Sequence, residues 1–115
     1  MATYVYRVTR ARGSNFYGAC ETVTHCATYA SPETATAAAF ELARRELAAD
    51  REELFHSLPN RSSASFARKL AEAEQVANDY YKDLEMNDHG FYEWGPDCDT
   101  GPYGSVCVFK DELLP

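Results

Sequence analysis

Long hydrophobic runs are missing from this chain of 115 residues. No apolar stretch approaches the roughly 20 consecutive residues that a membrane-spanning helix needs, so we expect none. The first residues, Met1–Val5, carry neither the basic nor the apolar region of a secretory signal peptide. We therefore predict a cytoplasmic protein whose four cysteines are reduced thiols.

An excess of positive charge is missing as well, since 11 Lys and Arg residues stand against 18 Asp and Glu, a net charge of −7. An acidic surface repels polyanions, which argues against direct binding to DNA, RNA or anionic lipid. The composition, 45% hydrophobic and 25% charged, is that of a folded protein. We predict a single domain spanning residues 1–115, without internal repeats.

Cysteine and histidine spacings that are typical of metal or catalytic sites are also absent. Cys20 and Cys26 would lie about 20 Å apart on a regular strand, too far for a disulfide. Cys98 and Cys107 fit no zinc pattern. We predict a non-enzymatic protein with no catalytic residue, metal or cofactor. The alternative is a small enzyme or metal-binding domain whose Cys and His residues (His25, His56 and His89 included) meet only in space.

Strand patterns occupy both ends of the chain. Residues 2–9 and 17–29 are rich in β-branched and aromatic residues and predict a first hairpin. We expect its basic residues, Arg7, Arg10 and Arg12, to form a solvated cluster near the turn.

A second hairpin is predicted near the C-terminus. Residues 89–95 and 103–110 read as its strands, separated by a segment dense in Gly, Pro and Asp. The register that we favour places Tyr92 opposite Val106.

The first of two predicted helices has a strong start signal. Ser31 can cap it, Pro32 suits the first position, and Glu33 suits the positive end. We expect the helix to reach Leu58, where Pro59 ends it. Its apolar residues form one stripe of Phe40, Ala43, Leu47 and Leu54, and a shallower one of Ala35, Ala38, Leu42 and Ala49.

Two further expectations concern this first helix. The shallower stripe suggests contact with a second subunit, and therefore a possible homodimer. Asp50 lies in the middle of the apolar pattern and could break the helix into two pieces.

The second helix is predicted from about Ser63 to Asn87. The element order is then ββααββ. We predict an α+β, two-layer domain, with an antiparallel four-stranded sheet made of two hairpins and two antiparallel helices on one face. The apolar stripe of the second helix comprises Phe66, Leu70, Ala73, Ala77, Tyr80, Tyr81 and Leu84.

The net negative charge lies in the last third of the chain. Residues 79–115 hold nine acidic residues and two basic ones, whereas residues 1–78 are balanced. Asp79 and Asp83 would oppose the dipole at a helix C-terminus and form a like-charge pair on one face. Acidic residues placed where they destabilise a helix suggest that the residues serve a function. We predict a partner-binding surface made of Glu72, Asp79, Asp83, Glu85, Asp88, Glu93, Asp97 and Asp99.

The acidic surface has three interpretations. The first is solubility alone, as in an acidic dimeric domain of no inhibitory function, and the third is the enzyme or metal site already described. The second, which we favour, is binding to a basic, nucleic-acid-binding protein or complex. Carboxylates four residues apart on a helix are about 6 Å apart along its axis, the scale of neighbouring phosphates. Asp79 and Asp83 could thus occupy a nucleic-acid channel.

In size, charge and layout the chain resembles small phage-encoded inhibitor proteins of the anti-CRISPR and anti-restriction kinds. Toxin immunity proteins that block nucleases are similar too. The resemblance involves no motif, and it carries no functional residue onto this sequence. It implies a stoichiometric inhibitor that acts as a DNA mimic toward a nucleic-acid-handling target.

Overall fold

The fold combines one antiparallel sheet with helices. The computed structural model describes residues 2–13, 22–86, 91–95 and 103–114. Neither helix within these ranges is long and apolar enough to cross a membrane. The strands are β1 (Thr3–Gly13), β2 (Thr22–Tyr29), β3 (Glu85–Met86), β4 (Tyr92–Trp94) and β5 (Tyr103–Leu113), and the helices are α1 (Pro32–His56) and α2 (Phe66–Tyr80).

The sheet has five strands in the order β2-β1-β5-β4-β3, so the predicted four-stranded sheet and the ββααββ order are wrong, although the α+β class holds. The difference arises at the end of α2. Tyr81 leaves the helical conformation with φ −129° and ψ 23°. Glu85 and Met86, which the sequence placed in the helix, therefore form the edge strand β3.

The pairing within each predicted hairpin agrees with expectation. β1 pairs antiparallel with β2, and Tyr92 lies opposite Val106 in the β4–β5 pair, as predicted. The central β1–β5 pairing joins the two ends of the chain, from Thr3 opposite Leu113 to Gly13 opposite Tyr103.

Helix α1 starts where the sequence predicted. The Ser31 hydroxyl accepts a hydrogen bond from the Thr34 backbone N–H at 3.1 Å, and Pro32 is the first helical residue. The helix is continuous to His56, so the expected break at Asp50 does not occur. Asp50 is instead a buried residue of the helix.

The face of α1 that meets the sheet is made of small residues. Ala35, Ala39 and Ala43 are fully buried at four-residue intervals, so α1 can lie close to the strands. Phe40, predicted as core, is 43% exposed and packs edge-to-face on Tyr92. Leu47 of the helix and large side chains of the strands complete the core. The buried strand residues are Val8, Trp94 and Val106, and the half-buried ones are Tyr6, Tyr29 and Val108.

The predicted placement of both helices on the sheet is corrected too. Helix α1 lies on the strands, whereas α2 packs mainly against α1. In the predicted stripe of α2, Ala77 and the following Tyr81 are buried, but Tyr80 is 41% exposed. Two residues of the shallow α1 stripe, Ala35 and Leu42, join the chain's own core, and the possible homodimer stays a prediction.

Candidate protein-binding site: an acidic corner of the sheet

The end of α2 is fixed beside the edge of the sheet. The Gly95 backbone N–H donates a hydrogen bond to the Tyr80 carbonyl at 3.3 Å, which ties the last residue of α2 to the end of β4. Gly95 has φ 96°, a conformation that glycine adopts at little cost. The chain then enters β3 at Glu85. This connection brings acidic residues of α2, the turn and β3 together.

Five residues at this point define a surface that we call the acidic corner: Asp79, Tyr80, Asp83, Glu85 and Glu93. Asp79, Tyr80, Asp83 and Glu85 line one shallow cavity of about 220 Å³, together with Asn78 and Lys82. Glu93 lies directly opposite Glu85 in the β3–β4 pair. Four of the predicted binding residues therefore come together.

The residues converge for a different reason from the one predicted. Asp79 is in the last turn of α2, but the helix ends at Tyr80 and Asp83 lies beyond it. The two carboxylates are therefore not a helical i, i+4 pair, and the 6 Å phosphate-like spacing does not apply. The turn that leads into β3 places them on one cavity instead.

The carboxylates of the corner have few partners. Asp79 accepts a hydrogen bond from the Gln75 amide at 2.9 Å. Among the described residues Asp83, Glu85 and Glu93 form no ion pair, and neither does Lys82. Like charges directly opposite on paired strands are destabilising, so the Glu85–Glu93 pair costs the fold some stability.

An exposed aromatic residue lies among these carboxylates. Tyr80 is 41% exposed and lines the same cavity as Asp79 and Asp83. The sequence prediction placed Tyr80 in the core with its neighbour Tyr81, although adjacent helical residues point about 100° apart. At this step Tyr80 lies about 20° from Ala73 and Tyr81 about 40° from Ala77, so the helical pattern did not distinguish the exposed tyrosine from the buried one.

Of the remaining predicted binding residues, the structure describes only Glu72, which does not belong to the corner. Glu72 lies two helical turns before Asp79, and it pairs with Arg68 at 3.2 Å. The other three lie outside the described residues: Asp88, Asp97 and Asp99.

The described cysteines lie on different strands of the sheet. Cys26 is exposed on β2, Cys107 is half-buried on β5, and β1 lies between these strands. In the described ranges no three His, Cys, Asp or Glu side chains are close enough to hold a metal ion. The Cys/His alternative stays a prediction, because some of its residues lie outside the described ranges: Cys20, Cys98 and His89.

A polar network that the sequence analysis missed crosses the core. Arg10 and Arg12 are half-buried and face α1, where both bond to Glu46. Arg12 also donates to Asp50 at 2.6 Å, and the Trp94 indole N–H donates to the other Asp50 oxygen at 2.7 Å. The position of Asp50, three residues after Leu47 on the buried face, was the available signal.

This network perturbs two titratable groups. The hydrogen bond to Asp50 raises the pKa of Arg12. Burial, reinforced by the negative charge of Asp50, raises the pKa of Tyr81 to about 12. The network joins α1, β1 and β4, so we interpret it as structural.

No family model matches this chain, and no curated protein or solved structure is significantly similar to it. What the protein does must therefore be inferred from its own surface.

Proposed function

We propose that this protein is a non-enzymatic, acidic binding protein, a stoichiometric inhibitor of a nucleic-acid-handling protein or complex. Its acidic corner occupies sites that otherwise hold nucleic-acid phosphates. One observation carries the proposal: three carboxylates, those of Asp79, Asp83 and Glu85, line one cavity around the exposed Tyr80.

The chemistry of the corner suits a basic partner. Proteins that handle nucleic acids neutralise phosphates with lysine and arginine, and carboxylates can take the place of those phosphates. A half-exposed tyrosine supplies a rigid anchor, since tyrosine is enriched among residues that dominate binding energy at interfaces. Charge steers the encounter, and the aromatic ring adds short-range affinity.

Acidic residues elsewhere on the described surface are more often neutralised. Arg44 binds Glu41 and holds the pKa of that carboxyl below its ordinary value. Arg7 does the same for Asp111 across the β1–β5 pair. The corner, with several unpaired carboxylates, is therefore a focus of the negative field.

The test compares the wild type with a variant that keeps the shape of the corner and removes its charge. This corner variant carries Asp79→Asn, Asp83→Asn, Glu85→Gln and Glu93→Gln. The proteins are produced in bacteria that carry CRISPR–Cas or restriction systems, and phage plating efficiency is measured. If the proposal holds, wild type restores plating against at least one system and the corner variant does not.

A charge-matched control separates the corner from net charge. It neutralises four exposed carboxylates elsewhere, and we expect it to behave like the wild type. Equal restoration by the corner variant would refute the role of the corner. The substitutions in the control are Glu33→Gln, Glu52→Gln, Glu74→Gln and Glu112→Gln.

A second measurement looks for the partner directly. Immobilised wild type, corner variant and control are each exposed to nuclease-treated bacterial lysate at low and high salt. We expect the wild type and control to retain a basic, nucleic-acid-binding protein at low salt only, and duplex DNA to displace it. Retention of nothing, with no effect on plating, would favour an acidic domain of no inhibitory function.

A further inference from the structure

The edge strand β3 presents different chemistry on its two faces. Glu85 and Met86 are successive residues of this strand, so their side chains point to opposite faces of the sheet. Glu85 lies opposite Glu93 of the acidic corner, whereas Met86 lies opposite Tyr92. Side chains directly opposite each other in an antiparallel pair share a face. One face of this edge is therefore acidic, and the other carries a methionine beside a tyrosine.

The methionine and tyrosine belong to a larger apolar surface that reaches helix α1. The rings of Tyr92 and Phe40 pack edge-to-face with their centroids 5.7 Å apart, and both Phe40 and Met86 are exposed. The same two rings line a shallow groove of about 520 Å³. We call Phe40, Met86, Tyr92 and this groove the apolar flank. The other described lining residues of the groove come from the first two turns of α1: Pro32, Glu33, Thr36 and Ala37.

We propose that the partner that binds the acidic corner also places an apolar side chain, of leucine size or larger, in the groove of the apolar flank. The proposal rests on the inhibitor function proposed above, and it specifies the chemistry of the partner further. That partner presents an apolar side chain next to its basic residues, and it sits across the β3 edge so that it contacts both faces.

The size of protein interfaces makes this same partner the occupant of the groove. A stable complex buries about 800 Å² on each protein and involves about 20–30 residues a side. The acidic corner has five residues, so a partner bound there must also cover the surface next to it. The apolar flank is directly adjacent, because Met86 follows Glu85 in β3 and Tyr92 precedes Glu93 in β4.

The two surfaces would contribute differently to binding. Exposed carboxylates speed the encounter and select a basic partner, but they add less to affinity. Aromatic residues and methionine are enriched at interface centres, where an apolar contact excludes water. The charge-matched control described above includes Glu33→Gln, which removes a charge from the groove and keeps its apolar lining. We therefore expect that control to bind the partner normally.

The test uses purified protein and two synthetic peptides of equal charge. Both carry arginines on either side of one central residue, which is leucine in the first peptide and the similarly sized asparagine in the second. Nuclear magnetic resonance measures the dissociation constants and the position of the Met86 methyl signal. We expect the leucine peptide to bind the wild type at least about fivefold more tightly and to shift that signal, because burial of an aliphatic side chain favours binding.

Matched variants assign this preference for leucine to the apolar flank. The flank variant carries Phe40→Gln and Met86→Gln, and we expect it to bind both peptides equally. Phe109→Gln with Leu113→Gln removes side chains of similar exposure from β5 and should keep the preference. The corner variant should bind both peptides more weakly and still prefer leucine. Met86→Gln alone, at an exposed edge position, repeats the test if the flank variant unfolds.

Equal binding of the two peptides to the wild type, including no detectable binding of either, would overturn the proposal. A preference for leucine that the flank variant and Met86→Gln both keep would overturn it as well. Phage plating reports on the inhibitor function separately. Restored plating without a preference for leucine refutes the role of the apolar flank alone, whereas a preference for leucine without restored plating supports the groove contact and refutes the inhibitor function.

Discussion

At the scale of single residues, Asp50 has the most demanding environment in the described core. Asp50 is 5% exposed, and one of its carboxylate oxygens accepts a hydrogen bond from the Arg12 guanidinium and the other from the Trp94 indole N–H. A buried charge is tolerated only when such partners satisfy it. Here the partners come from β1 and β4, so one side chain of α1 links two strands of the sheet.

We expect Asp50→Ala to lower the free energy of unfolding by about 1–3 kcal/mol, because it leaves the buried Trp94 indole N–H without an acceptor, whereas Arg12 keeps its ion pair with Glu46. Urea denaturation monitored by circular dichroism measures the loss. Glu53→Ala, at an exposed position of the same helix, should change stability by less than about 0.5 kcal/mol. A loss below about 1 kcal/mol for Asp50→Ala would mean that the network contributes little.

Tyr81 predicts a pH dependence at high pH. Its folded-state pKa is raised to about 12 from the ordinary 10.0, since burial and Asp50 disfavour the phenolate. The unfolded state therefore loses the Tyr81 proton first, and the stability contributed by this group is lost as pH rises from about 10 to about 12. An absorbance titration of tyrosinate should show a transition near pH 12 that belongs to Tyr81.

Tyr81→Phe is the control for this titration. The substitution should remove the late-ionising group and make the loss of stability above pH 10 less steep. A late transition that persists in Tyr81→Phe would assign it to another tyrosine.

At the scale of elements, α1 owes its position to small residues at four-residue intervals. Ala39 is fully buried, so Ala39→Leu should push the helix from the sheet and cost about 1–3 kcal/mol. Ala37→Leu adds the same side chain at an exposed position and should be nearly neutral. Thermal or urea unfolding measures the stability of each variant. Equal losses of stability at the buried and exposed positions would contradict the close packing of α1.

The end of α2 permits a test that separates stability from binding. Asp79→Asn removes a charge at the C-terminus of α2 that opposes the helix dipole, and this charge costs about 0.3–1 kcal/mol of stability. Asp83→Asn, made in the same variant, removes a carboxylate beyond the end of the helix. Neither residue is buried or in an ion pair within the described structure. The double variant should therefore melt at or slightly above the wild-type temperature.

Binding of the same double variant is the second half of the test. Once a basic partner is in hand, its affinity should fall and the salt dependence of binding should become shallower. A variant that melts much lower yet binds normally would make these acids structural, and the inhibitor proposal would lose support.

At the scale of the whole molecule, the uneven charge predicts how salt affects stability. Unpaired carboxylates in the acidic corner repel one another, and salt screens that repulsion. Between about 0.02 M and about 0.5 M NaCl, the unfolding free energy of the wild type should therefore rise more than that of the corner variant. Urea denaturation at each salt concentration measures the difference, and parallel changes would show that the corner carries no net repulsion.

Much of the local structure could be predicted from the sequence. Capping residues predicted the start of α1 at Pro32. β-propensity and turn residues predicted the first hairpin and the pairing of Tyr92 with Val106. All of these signals act over short distances along the chain. The concentration of acidic residues in the last third was also evident from the sequence. The convergence of Asp79, Asp83 and Glu85 was not, because the expected helical spacing ends at Tyr80.

The amino-acid sequence by itself determined the α+β class, the helix start and the location of the negative charge, since each depends on neighbouring residues or on composition alone. Only the tertiary structure decided that Glu85 and Met86 add a fifth strand, that Asp50 is a buried bridge, and that Tyr80 faces the acidic cavity. These outcomes depend on contacts between residues far apart in the chain, such as Asp50 with Trp94. Local propensity carries no information about such pairs, because their energy exists only once distant segments have packed together.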